Sequence, residues 1–450
     1  MMCMLKKLMF LLLLGAGLLS CGQSTDQQIS NITTPKQFPS SPRDYRPVQE
    51  LPYLAWWKQF QDPELDRLID TGLKTNMDIH IAMANLQQAQ GELQQVKLSW
   101  IPNVQILGGY STNPALGVPG GFYGIWPSYI LNIMQLYTQQ KRAQYQVQYH
   151  QAAIDGLRLT LIGQVAAAYF TLIAQLEQLK LLYELDRDLK SLIALSRKEI
   201  NIGLKNDIDL AQLQSNERLI AAQIKPIKHN IVVSQNALRY LINENPGLIK
   251  SKNNFAQLDF TRFKPGSLPA TVLGNRPDMK MAEYSLKAAR AGIFVAYSDF
   301  FPVMQLDDFI GEAHLPDSTF EQATDAYVNW TINPNTLGKI SVSKGVYNAK
   351  LAEYVKTVRL ILKEVDNAFS ANKRMREQFL SYRHAQEDYQ HKYKLQNGLL
   401  KSGLMSYKEL LESKVYLDTL ALSTNQAKLE LAMSLVMLYQ DLAGGYACSD

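Results

Sequence analysis

Cysteine is almost missing from this chain. Its 450 residues hold three cysteines, and only Cys21 and Cys448 lie beyond the N-terminal leader. Two thiols cannot build a disulfide framework or a thiolate zinc site. A large core or contacts between copies must therefore hold a chain of this length. Proline is missing from two long stretches: between Pro127 and Pro226, and from Pro334 to the end, 116 residues. No run of 18 or more apolar residues follows the leader. If the mature chain crosses a membrane, it does so as strands closed into a barrel. Dense Lys/Arg clusters interleaved with aromatics are missing as well, and the net charge is only +5. That excludes an ordinary nucleic-acid binder.

Catalytic signatures are missing too. There is no phosphate-binding glycine loop, no H-E-x-x-H and no G-x-S-x-G. Ser341-Val342-Ser343-Lys344 matches S-x-x-K without its companion motifs. His384 and His391 sit seven residues apart on a helical pattern, too far for joint ligation without another partner. The chain is read as not an enzyme, with no cofactor and no metal.

The leader itself is clear. Lys6 and Lys7 precede an apolar run at 8–14, and Leu18-Leu19-Ser20-Cys21 follows. The run is too short to span a bilayer and reads as a signal peptide. Leu-Leu-Ser-Cys resembles a bacterial lipobox, with cleavage before Cys21 and a covalent lipid on that cysteine. Gly22 is not Asp, so retention in the inner membrane is not indicated. Residues 21–50, rich in Ser, Gln, Thr and Pro, read as a tether.

The most informative feature is an echo at 200 residues. Asp78 and Asp278, Pro102 and Pro302, Gly203 and Gly403, and Leu210 and Leu410 are such pairs. The chain is one unit written twice, and a period this long implies two similar halves rather than a solenoid. The boundaries are a signal peptide at 1–20, the tether at 21–50, a first repeat at 51–242, a connector at 243–267, a second repeat at 268–445 and a tail at 446–450.

Each repeat predicts a very long helix. Leu157, Leu161, Val165, Ala168, Leu172, Leu176, Leu179 and Tyr183 form a stripe spaced about 3.7 residues apart. Leu351, Val355, Val358, Leu362, Val365 and Phe369 form its equivalent. A helix over 138–200 would be about 95 Å long. Each ends in a matched turn. Gly203 and Gly403 suit the left-handed position that stops a helix. Asn206 and Ser406 are N-cap residues for the next helix, and Asp209 and Glu409 follow three residues later as in a capping box. Leu204 and Leu404 stand exposed between them unless something covers them. Pro226 should kink or break the helix after the first turn.

The other end of each repeat predicts strands. The segments at 100–110 and 126–137, and their echoes at 301–306 and 327–332, alternate loosely between turn-rich breaks. That makes four strands per chain, too few to close a barrel alone, since the smallest bacterial barrels use eight. Asp307 and Asp308 are adjacent in the third, so one would face lipid. Either that strand stops near Leu306 or its register bulges.

These residues resemble the TolC-like outer-membrane efflux factors, in the lipoprotein (NodT/OprM-like) branch. The resemblance runs through Trp56-Trp57, Phe60, Asp62-Pro63 and Leu65, then Val165-Ala166 and Tyr169-Phe170, then Gly203-Leu204. It continues through Leu268-Pro269, Arg276-Pro277-Asp278, Phe301-Pro302 and Leu442-Ala443-Gly444-Gly445. It implies a mainly α fold with a small β part: helical hairpins forming a periplasmic α-barrel, and four strands per protomer in a trimeric twelve-stranded transmembrane barrel. It further implies a homotrimer in the bacterial outer membrane, lipid-anchored and extending into the periplasm. Its partners would be a periplasmic membrane fusion protein and an inner-membrane transporter of the RND type. Adaptor docking maps to Gly203, Leu204, Asn206, Gly403, Leu404 and Ser406, and the acidic residues of the entrance to Asp209, Glu409 and Glu412. Asn132 departs from the Asp that the family often has before its first long helix. The alternative reading is a periplasmic adaptor or structural coiled-coil lipoprotein that never spans the outer membrane.

Overall fold

The computed structural model describes residues 35–41, 51–112, 120–204, 207–249, 254–262, 269–313 and 320–447. The signal peptide, Cys21, most of the tether, Asn206, Leu268 and Cys448 fall outside them. The first repeat contains α1 (Pro63–Thr75), α2 (Met77–Leu98), β1 (Asn103–Ser111), β2 (Gly120–Leu131), α3 (Ile133–Asn201) and α4 (Asp207–Leu241). The second contains α5 (Pro269–Asn275), α6 (Pro277–Ser298), β3 (Val303–Ala313), β4 (Phe320–Asn329), α7 (Asn335–Lys401) and α8 (Tyr407–Asp441). The element order is the same in both.

The long helices α3 and α7 run 69 and 67 residues, each about 100 Å at 1.5 Å per residue. Composition makes part of α3 apolar enough to cross a membrane, but 56% of that window is buried inside the protein. It is a core helix. Its buried face follows the expected stripe at Leu161, Val165 and Leu172, then drifts. Leu176 and Tyr183 are exposed, and Leu182, Leu185, Leu189 and Leu192 carry the packing onward. The equivalent stripe in α7 is buried at Leu351, Val358, Val365 and Phe369.

The main core lies at the middle of the molecule. Val165, Ala166, Tyr169 and Phe170 pack there with Leu431, Leu435 and Tyr439 of α8. Phe60 and Phe260 contact Phe170 at ring distances of 5.2 and 5.1 Å. Trp56 stacks on Tyr439 at 4.8 Å. Asp62 caps α1 and accepts a 2.7 Å hydrogen bond from the Tyr169 hydroxyl. Arg276 reaches Asp278, Glu364 and the Asp441 carbonyl. Burial pushes the Asp441 carboxyl up to about 6 against the pull of Arg276. The motif residues that carry the resemblance are thus mostly structural.

The four strands form one antiparallel sheet in the order β1-β2-β3-β4. The two hairpins join through β2 and β3, and β1 and β4 are left as edges. One face carries Val104, Ile106, Ile125, Leu306, Ile310 and Val328; the other mixes Asn103, Gln105, Ser128, Gln305, Asp307 and Asp325 with Trp126, Ile130 and Phe309. Ile106 is 85% exposed and Val328 65%. A mainly apolar face left open, backed by one of mixed polarity, fits a membrane barrel wall.

Three expectations need correction. The second and fourth strands begin and end earlier than expected: Asn132 already caps α3 by accepting from the Gln135 N–H at 3.0 Å, and Asn333 likewise accepts from the Asn335 N–H at 3.0 Å where α7 begins. The Asn132 amide also donates to the Ser298 carbonyl at 3.1 Å, a bond the family's Asp could not make. Next, β3 neither stops near Leu306 nor bulges. Pairs from Met304 to Ala313 keep one register with β2, and β4 stays in register from Phe320 to Asn329. Asp308 stays on the apolar face because Thr324 and Gln322 donate to it at 2.9 and 3.2 Å, while Asp307 points to the mixed face beside Gln305. Finally, α4 runs unbroken through Pro226. Packing along α3, with Ile224, Ile231 and Leu238 buried and Ser234 bonded to Gln175 at 2.9 Å, outweighs one lost backbone bond.

Candidate functional site: the matched helical tips

Each long helix stops in the same way. Gly203 has φ +79° and Gly403 φ +72°. The Leu204 N–H donates to the Glu199 carbonyl and the Gly203 N–H to the Ile200 carbonyl, both at 2.9 Å. Leu404 to Leu399 and Gly403 to Leu400 repeat this at 3.0 Å. This double bond pattern closes the orphan carbonyls of a helix end and needs a left-handed residue at the turn. The far ends echo it without glycine: Asn243 and Ala443 take φ +56° and +59°.

The tips present apolar side chains to solvent. Leu204 and Leu404 are 70% and 76% exposed, with Ile202, Ile208 and Tyr407 also exposed. Ser406 and Glu409 form a full capping box: Glu409 accepts from the Ser406 N–H at 2.9 Å, and the Ser406 hydroxyl takes the Glu409 N–H at 3.2 Å. The Ser406 backbone and hydroxyl hold the Glu409 carboxyl below its usual range. Asp209 is exposed near the start of α4, and Glu412 is exposed one turn beyond Glu409.

The two tips meet within one chain, though not through those acids. Lys408 at the start of α8 bonds Glu199 at the end of α3 at 2.5 Å. Deeper in the seam, about two turns along α8 and three along α3, Lys414 lies between Asp188 of α3, at 3.8 Å, and Asp418 of α8. Glu199, Lys408, Asp188, Lys414 and Asp418 were not among the expected site residues. The Lys414/Asp418 spacing of one helical turn was visible in the sequence; its meeting with Asp188 required the fold. A polar cavity of about 610 Å³ lies away from the tips, between the start of α2 and the end of α4, lined by Asn76, Asp78, Arg239 and Glu244.

The family model described as Outer membrane efflux protein matches twice, over residues 68–244 and 268–444, with both ends 200 residues apart. The chain belongs to the outer membrane efflux protein family. The alternative of an adaptor that never reaches the outer membrane falls with that match. This efflux protein is 25% identical over 456 aligned residues to the probable efflux pump outer membrane protein TtgC of Pseudomonas putida, covering 95% of this chain and 93% of the relative. It is 24% identical to the probable outer membrane lipoprotein SilC of Salmonella typhimurium, covering 92% and 93%. Its fold matches the Neisseria gonorrhoeae MtrE outer membrane channel with TM-score 0.80 at 22% identity, covering 92% and 96% of the two chains. The outer-membrane channel OprN gives TM-score 0.76 at 22% identity, covering 90% and 99%. Membership fits the lack of enzymatic signatures and sites this efflux protein in the outer membrane.

Proposed function

We propose that three copies of this chain build one conduit for export across the outer membrane. The observation that carries this is the open-edged sheet. Its four strands have one mainly apolar face and one of mixed polarity, and β1 and β4 leave unpaired edges that a soluble protein would have to cover. Pairing β4 of one copy with β1 of the next removes every edge and closes a twelve-stranded barrel. The hairpins α3–α4 and α7–α8 then extend as six staves of a periplasmic tube.

A lipid on Cys21 anchors the chain to the inner leaflet of the outer membrane; the name of SilC as a lipoprotein supports this. The exposed apolar tips around Gly203-Leu204-Asn206 and Gly403-Leu404-Ser406 dock a periplasmic membrane fusion protein, which couples the tube to an inner-membrane transporter of the RND type. Asp209, Glu409 and Glu412 give the periplasmic entrance its negative charge. The conduit is passive: transport energy enters at the inner membrane.

The test is the migration of membrane-extracted protein. A detergent-resistant, heat-modifiable trimer is expected, and a monomer released by urea would overturn the channel. Photocrosslinkers at positions 204 and 404 should capture a membrane fusion protein; crosslinks from the barrel end alone would overturn the docking assignment.

A further inference from the structure

We propose that Asp188 and Asp418 share one proton across the seam between α3 and α8, so that the tip half of this seam is a proton-sensing clasp. The consequence for transport rests on the conduit described above; the shared proton does not.

The geometry is that of two acceptors forced together. Asp188 is 7% exposed and Asp418 3%. Lys414 serves both, bonding Asp418 Oδ1 and lying 3.8 Å from Asp188 Oδ2. Arg187 holds Asp188 Oδ1 at 3.1 Å. The other oxygen of Asp418, Oδ2, is buried and has no donor. Asp188 and Asp418 thus converge on one ammonium across the seam, but an ionised carboxylate only accepts. A proton on Asp418 turns their meeting from a repulsion into an O–H···O⁻ bond. It also satisfies an atom whose burial is otherwise costly.

The charges around Asp418 come from two helices. Lys414 is on its own helix, and Asp188 and Arg187 are on α3, with Glu184 acting on Arg187. α7 faces this stretch with Tyr389, whose ring is 4.5 Å from that of Tyr416, and with Lys392 over Tyr389. Burial outweighs the pull of Lys414 and, with a smaller repulsion from Asp188, pushes Asp418 up to about 6. A raised carboxyl favours the closed seam when protonated. The stabilisation is present below the carboxyl's ordinary range and fades as pH rises through about 6. When the proton leaves to water, two buried carboxylates share the Lys414 ammonium, helped only by the largely exposed Arg187 guanidinium on Asp188, and separating α8 from α3 relieves them. The seam is tight in acid and loosens towards neutral pH.

The position makes this consequential. Asp418 lies between the apolar middle of the seam and the Lys408–Glu199 contact at the tip. A separation here would let the tip end of α8 swing while the middle stays packed.

Hydrogen exchange on the full purified protein tests the proposal. After correction for intrinsic rates, protection over 185–193 and 411–421 should fall about tenfold between pH 5 and pH 7.5. In Asp418→Asn, whose amide replaces the O–H donor, protection should stay high and flat. Asp188→Asn should likewise lose the pH dependence. A wild-type profile that is flat, or an Asp418→Asn profile that still falls with pH, would overturn the proposal. Conductance of trimers in planar bilayers is measured alongside. Wild-type opening that rises through about pH 6, and is abolished in Asp418→Asn, links the clasp to the conduit. Exchange that shifts with pH in a protein that forms no channel would overturn the conduit and leave the shared proton standing.

Discussion

The two halves of the α3–α8 seam are built from different forces. At the middle of the molecule, Val165, Ala166, Tyr169 and Phe170 meet Leu431, Ala432 and Leu435, all at or near 0% exposure. Towards the tip the seam still holds leucines, including Leu189, Leu410 and Leu411. It also buries Asp188, Ser196, Ser413 and Asp418, and ends in the Lys408–Glu199 pair. Apolar burial stabilises by about 25 cal/mol per Å² and has no off switch. Buried ion pairs are close to neutral in net stability, but they depend on every partner being present. The middle is therefore a permanent joint, and the tip half is one that can be released. A conduit that must open at its periplasmic end needs that division.

The comparison can be broken most strongly at the permanent end. Phe170→Ala should cost about 3–5 kcal/mol and abolish folded trimer, read as loss of heat-modifiable migration. A change of pH should separate the halves next. Lys428 belongs to the permanent half, donating to the Ala256 carbonyl at 2.8 Å and lying 5.3 Å from the Phe255 ring. Burial depresses it to about 8. Between about 8 and its ordinary 10.5, the unfolded chain binds more protons, so stability should rise with pH across that window. Lys428→Met should remove that slope in denaturation measured at several pH values. The permanent half thus gains towards alkaline pH, whereas the releasable half loses stability as pH rises from the ordinary carboxylate range to about 6.

Replacing Gly203 and Gly403 together with Val should cost about 1–2 kcal/mol at each turn, because a left-handed φ strains any side chain. Export should be crippled while trimers still form; normal export would show that the tips do not need these turns. Lys414→Met should cost about 1–2 kcal/mol, discounted because the lysine is partly exposed. Its effect should be confined to exchange near 188 and 418, and a drop in global stability would argue against two separable halves. The smallest effect is Ser406→Ala, about 1 kcal/mol of capping, seen as faster exchange in the first turn of α8.

Much of this was legible because it is local. Leu, Ala, Gln, Lys and Glu without proline predict long helices wherever they lie. Gly203 and Gly403 mark their ends because few other residues accept that φ. The strand starts were less legible, since the glycine-rich 120–124 segment reads as a turn. In the sheet Gly124 permits close approach: a Cβ there would come within 2.9 Å of the Ile310 carbonyl oxygen. Pro226 was misjudged for the opposite reason. The local rule predicted a kink or a break, and the long packing surface on α3 overruled the break.

By itself the sequence determined the repeat, the lengths of the helices, their turns and the need for shared strands. Each follows from periodicity, propensity or a single residue's backbone freedom, all short-range properties of the chain. Only the tertiary structure decided that α3 of the first repeat pairs with α8 of the second, bringing Asp188 to Asp418 across 230 residues. Charged residues follow no periodicity that names their partners, so their meeting is fixed by how whole helices pack.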